Sequence, residues 1–229
     1  MDLEIRIYCL TLKCKVLFMD NKQEGLQALH DIRRIMEQSS RFISLSGWSG
    51  VAAGICALTG AGFANSMIQH YYATEYGTEN ACPACLARQL FLVAMAVFSS
   101  AFLLAVLFTW MRSRKKGIPL WGNSTKRLLW NTLLPLGAGA VMVSRMAQMG
   151  YYGMVAPACL VFYGLALING SKFTLGEVKY LGYMILATGL VNLWMPGYGL
   201  YFWALGFGIF HIFYGLMMWW KYERTEDKA

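Results

Sequence analysis

Between two long apolar runs the sequence places sixteen residues, Arg112 to Arg127, that read R-S-R-K-K-G-I-P-L-W-G-N-S-T-K-R. Six of them are basic (Arg112, Arg114, Lys115, Lys116, Lys126 and Arg127) and none is acidic. Short loops so rich in Lys and Arg resist translocation and stay on the cytoplasmic side of a membrane. Placing this loop inside orients every other segment of the chain.

The membrane itself follows from composition. The 229 residues are 57% hydrophobic and only 14% charged. Several windows of about 20 residues are nearly free of charge, the length that crosses a ~30 Å hydrocarbon core. The formal net charge of +8 does not mark a nucleic-acid partner, because the basic loop supplies most of it. The first 42 residues hold seven basic and six acidic side chains. The basicity is therefore topological, with attraction to anionic lipid head groups at the loop. The spans hold no paired carboxylates, and no phosphate-binding glycine loop or Ser-His-Asp set is visible. Soluble-enzyme chemistry of those kinds is excluded.

In chain order, residues 1–18 do not form a signal peptide. Asp2 and Glu4 stand where a basic region is needed, and no small-residue cleavage site follows. They form either a short amphipathic element or upstream sequence before a start at Met19. Over 23–41, Leu26, Leu29, Ile32 or Arg33, and Met36 recur at helical spacing with charges between them. This predicts a cytoplasmic amphipathic helix on the membrane surface or docked on the bundle. Six spans follow, at about 43–68, 87–111, 128–149, 154–170, 180–195 and 198–220. The expected organisation is a cytoplasmic N-terminal segment 1–42, a six-helix transmembrane domain 43–220 and a cytoplasmic tail 221–229. The fold class is an all-α membrane protein with both termini inside.

The last four spans read as a repeated hairpin, spans 3–4 and spans 5–6. F-Y-G-L occurs at Phe162–Leu165 and again at Phe213–Leu216, and each hairpin turns at a Gly-Tyr pair. Parallel repeats of this kind occur in some transporters. Chance matching of apolar, glycine-rich helices gives the same pattern, and a true repeat implies quasi-symmetric packing rather than transport.

The sharpest chemical motif is Ala81-Cys82-Pro83-Ala84-Cys85, followed by Leu86-Ala87-Arg88-Gln89. Topology puts this C-x-x-C on the oxidising face, where a disulfide persists. The plain alternative is a local disulfide or a tight turn into the helix. The motif resembles that of membrane quinone-linked disulfide-generating enzymes and the vitamin K epoxide reductase family. The resemblance implies a redox pair Cys82 and Cys85, with Arg88 facing a bound quinone. It covers fewer than ten residues and departs from the pattern. Those families use a four-helix bundle and order the pair Gln-Arg or Glu-Arg, where this chain has Arg88-Gln89. The quinone-linked type also relays electrons through a second external cysteine pair, which the other external loops lack. Cys56 and Cys159 lie inside spans and read as small buried hydrophobes. His70 is the one further ligand near the pair, too few for a zinc site, and no metal is expected.

His211 is expected somewhat past the middle of the sixth span. An ionisable residue there is a functional hypothesis by default, for ligand binding, proton relay or a transport path. A neutral imidazole bonded to Asn192 or to a tyrosine satisfies the same physics as a structural element. Arg145 at the outer end of the third span snorkels, pairs with Glu75 or Glu79, or meets an anionic ligand. Asn131, Asn169 and Asn192 read as interhelical hydrogen-bond partners, and Trp130, Trp194, Trp203, Trp219 and Trp220 as an aromatic belt.

Three stretches carry a broader resemblance: R-K-K-G-I-P-L-W-G-N-S-T-K-R-L-L-W-N, A-P-A-C-L-V-F-Y-G-L-A-L-I-N-G-S-K and G-Y-G-L-Y-F-W-A-L-G-F-G. They look like a group of bacterial inner-membrane proteins of unknown function, over about 36–224. The resemblance implies a bacterial inner-membrane location and carries no activity or cofactor. The expected function is a non-catalytic bundle for sensing, accessory work or small-solute handling. Its competitors are a thiol-disulfide or quinone-linked oxidoreductase on Cys82 and Cys85, and a small transporter with His211 lining the path.

Overall fold

A computed structural model describes residues 47–78, 81–116, 122–174 and 176–223. The chain divides into two units, Met1–Arg41 and Phe42–Ala229. The first unit lies outside the described residues, and with it the expected amphipathic helix and the choice between Met1 and Met19. The middle of the basic loop, 117–121, and the tail beyond 223 also lie outside them.

The described part of the second unit is helical throughout. Helix α1 is Gly47–Thr74, α2 is Pro83–Lys116, α3 is Asn123–Gln148 and α4 is Tyr152–Gly170. A 3-10 turn at Ser171–Phe173 leads to α5, Glu177–Asn192. The last helix, α6, starts as Gly199–Trp203 and widens into π-helical turns at Ala204–Ile209. It resumes as Phe210–Met218 and closes with a second π-helical stretch, Trp219–Glu223. Four helices are long and apolar enough to cross a membrane: α1, α2, α4 and α6. The expected third and fifth spans correspond to α3 and α5. Helix α3 carries Lys126, Arg127 and Arg145 and an internal Pro135. Helix α5 has 16 residues, about 24 Å at 1.5 Å per residue, short of a ~30 Å core.

Small residues decide which helices meet. Helix α1 packs along α2 and also along α6, so the first and last of these helices are neighbours, while α4 packs against both α3 and α5. A Cβ on Gly54 would lie 2.6 Å from the Gly208 carbonyl oxygen, and one on Gly215 would lie 2.5 Å from that of Gly47. The α1–α6 contact is backbone against backbone, which in lipid gives van der Waals packing its best purchase. Gly164 and Gly182 do the same for α4 and α5, where a Cβ on Gly164 would lie 2.8 Å from the Leu186 nitrogen.

The interior is thin and the surface apolar. Leu160, Val178, Leu181, Ile185, Tyr214 and Met218 form the buried cluster, drawn from α4, α5 and α6. Phe63, Trp130 and Trp194 are each more than 70% exposed (71%, 74% and 79%). Such a surface suits lipid rather than water as its solvent. The apolar window of α2 has no buried residue at all.

Gly150 (φ +81°) and Gly197 (φ +94°) both take the left-handed conformation that glycine adopts without strain. Each is followed by a tyrosine, so the two hairpin turns are alike. The helices they join find different neighbours: Gly164 of the first F-Y-G-L meets α5, whereas Gly215 of the second meets α1.

Candidate functional site

At the end of the α1–α2 hairpin opposite the basic loop, the two helices enclose an open cleft of about 320 Å³. Helix α1 contributes Ser66, Met67, His70 and Tyr71, whose i, i+1, i+4, i+5 spacing places them on one face. Glu75 closes that side just past the helix end, and α2 contributes Cys85, Leu86 and Gln89.

The cysteine motif is folded into the start of α2. Pro83 takes the first helical position, where its missing N–H is no loss. Cys82 stands at the cap before it: its carbonyl accepts from the Cys85 and Leu86 backbone N–H groups at 3.0 and 3.2 Å. The Cys82 sulfur also accepts from the Cys85 N–H at 3.2 Å, in the manner of a capping side chain. Cys82 and Cys85 are joined as a disulfide with Cα atoms 5.2 Å apart. Cys85 is exposed and lines the cleft, while Cys82 is half-buried and is not part of its wall.

Two groups on the opposite wall have unused hydrogen-bonding capacity. Tyr71 is 6% exposed, and its hydroxyl is buried without a hydrogen-bond partner among the described residues. The Thr74 hydroxyl donates to the His70 carbonyl at 2.6 Å and lies 3.3 Å from His70 Nδ1. With its proton committed, the hydroxyl accepts from Nδ1–H, which leaves Nε2 with a lone pair. From sequence alone Glu75 stands out only as a possible partner of Arg145 and Gln89 only as the residue after Arg88, and Tyr71 does not stand out at all. The His70-Tyr71 pair on the face of α1 that meets α2 was the available signal.

The second polar centre is buried. His211 Nδ1 lies 3.0 Å from the Gly206 carbonyl oxygen, and Nε2 lies 2.9 Å from the Tyr163 hydroxyl. The wide turns of Ala204–Ile209 set Gly206 five residues before His211 and within reach of the ring. A carbonyl only accepts, so Nδ1 carries the proton and Nε2 accepts from Tyr163. Both ring nitrogens are satisfied in the neutral form. Phe207 packs against Tyr163 with ring centroids 4.9 Å apart, and Trp203 packs on Phe207 at 5.0 Å.

The remaining predicted residues are dispersed. Arg88 is exposed and is not part of the cleft wall; Gln89 takes that place. Arg145 donates to Gln148 Oε1 at 3.3 Å on its own helix, rather than to Glu75. Glu79 lies outside the described residues. Asn192 is buried at 3%, but His211 bonds the tyrosine instead of it. Asn169 Nδ2 donates to the Asn131 carbonyl at 2.9 Å, tying α4 to α3. In the basic loop, the Arg114 guanidinium lies 4.2 Å from the Trp110 ring centroid, and Lys115, Lys126 and Arg127 are exposed. Arg112 is half-buried at the end of α2, while the Lys116 side chain lies outside the described residues. Among the described residues no three His, Cys, Asp or Glu side chains form a metal-ligand set. No protein-family model, curated protein or solved structure matches the chain.

Proposed function

We propose that this chain is a six-span bacterial inner-membrane protein with a redox-sensing accessory role, read out by a reversible thiol–disulfide centre at Cys82 and Cys85. One observation carries the reading: the disulfide caps α2 and opens onto a polar cleft at the hairpin end opposite the basic loop. With Arg112, Arg114, Lys115, Lys116, Lys126 and Arg127 held inside, that end is external, where disulfides form and persist.

Six crossings are supported by the way the helices pack. Helix α3 has 26 residues, about 39 Å, and packs along α4 after a turn at Gly150. On this reading it carries the chain across the bilayer before α4 returns, and α5 with α6 forms the next hairpin around Gly197. Both termini are then cytoplasmic, and the basic loop meets anionic lipid head groups. The core does no chemistry in this reading, because the two nitrogens of His211 are occupied by Gly206 and Tyr163 and leave nothing for a transported solute.

Thiol trapping in intact cells tests the proposal. Alkylation should show Cys82 and Cys85 passing from disulfide to dithiol when an external reductant is added, and returning when it is removed. A pair fixed in one state under every condition rejects it. A second reading, a quinone-linked oxidoreductase, is favoured by the polar side chains of Gln89, on the same helix as Cys85, and of His70 across the cleft. It predicts thiol-dependent quinone reduction that Cys85→Ser abolishes; purified protein that leaves quinone untouched excludes it.

A further inference from the structure

We propose that the cleft beside the disulfide is a binding site for a small amino-acid thiol of cysteine's size, or for its disulfide, and that the bound sulfur exchanges with Cys85. The inference rests on the thiol–disulfide reading and names the molecule that the centre meets.

The size and chemistry of the wall carry it. About 320 Å³ is room for a small metabolite. Glu75 offers a carboxylate for an ammonium group. The amide of Gln89 is a donor for a carboxylate. An α-amino acid presents both groups on one carbon. The free Nε2 of His70 is a base on the same wall.

The asymmetry of the disulfide fixes the direction of exchange. Cys85 is the exposed sulfur on the wall, while Cys82 holds the capping position and accepts the Cys85 N–H. The ligand thiol gives its proton to His70 Nε2, and its sulfur attacks Cys85 Sγ. The Cys82–Cys85 bond breaks as a ligand–Cys85 disulfide forms. The displaced electron pair goes to Cys82 Sγ, where the helix N-terminus and the Cys85 N–H stabilise negative charge. One disulfide replaces another, so no external oxidant is required, and the reverse reaction restores the starting state.

The test uses the full-length protein in detergent, with mixed disulfides located by peptide mapping and mass spectrometry. Two single-cysteine forms of the motif, Cys82→Ala and Cys85→Ala, are challenged with cystine and with 2-hydroxyethyl disulfide, which lacks both charged groups. Cystine should label Cys85 in the first form at least about tenfold faster than Cys82 in the second, a difference of one hydrogen-bonded contact or more. The preference for cystine over 2-hydroxyethyl disulfide at Cys85 should fall by about tenfold in Glu75→Gln and again in Gln89→Leu. Equal rates with the two reagents overturn the amino-acid site while leaving the exchange centre standing. If the native disulfide opens with neither cysteine nor 2-mercaptoethanol, the thiol–disulfide reading itself falls, and the amino-acid site with it.

Discussion

Two histidine–tyrosine pairs stand in this molecule under opposite conditions. Tyr163 and His211, 48 residues apart, meet in the interior, where the imidazole is bonded on both sides. His70 and Tyr71, adjacent in sequence, stand at the open end of the α1–α2 hairpin, where one ring nitrogen and one hydroxyl are left over. The same side chains are therefore satisfied in one place and left with unused hydrogen-bonding capacity in the other. What separates them is satisfaction: in the core the π-helical turns bring a carbonyl to the histidine, and among the described residues nothing equivalent reaches the Tyr71 hydroxyl. Intramembrane location alone, which singles out His211 in the sequence, is the weaker guide to function.

The comparison breaks first, if it breaks, in the interior. His211→Leu leaves the Tyr163 hydroxyl and the Gly206 carbonyl oxygen without their ring partner, and apparent stability in detergent should fall by about 3 kcal/mol. Thiol exchange at Cys85 should be unchanged. A thermal shift close to zero would mean the core pair is as dispensable as the outer one. Removing the disulfide by Cys82→Ala with Cys85→Ala should cost at most about 2 kcal/mol, because it closes a loop of only four residues. A larger loss, read by the same melting assay, would recast the disulfide as a structural staple.

Tyr163→Phe should cost about 1 kcal/mol, and the coupling to His211→Leu in a double-mutant cycle should be of similar size, as for other interhelical hydrogen bonds in membranes. Additive single and double variants would remove the pair from the list of core contacts. The smallest effect belongs to Tyr71→Phe. It deletes a buried hydroxyl that has no partner, so stability should stay within about 0.5 kcal/mol of the parent or rise. A loss as large as that of Tyr163→Phe would show that the hydroxyl is bonded within the protein, and the contrast would vanish.

The helical membrane class was legible because charge and hydropathy act locally: the six basic residues of the loop and the charge-free windows need no tertiary information. Local patterning also found the Gly-Tyr turns at Gly150 and Gly197. It did less well on span length, since α5 stops at Asn192, three residues before the expected end. The cysteine motif was legible as a pair but not as a cleft, because Tyr71 and Glu75 reach it only through the packing of α1 on α2. A tyrosine partner for His211 was among the expected alternatives, but its identity as Tyr163 was not readable across 48 residues. The hairpin repeat matches in its turns and diverges in its glycine contacts, which sequence similarity alone could not show.

The backbone contact between α1 and α6 also sets an order of assembly. Gly50 meets Gly215 about 165 residues downstream. At the usual pace of synthesis, ~5–20 residues per second, α1 waits roughly 8–33 seconds in the bilayer before its partner leaves the ribosome. During that interval its glycine face is open to lipid or to another newborn helix. A chain that stalls before Gly208 therefore leaves the glycine face of α1 without the partner it meets in α6.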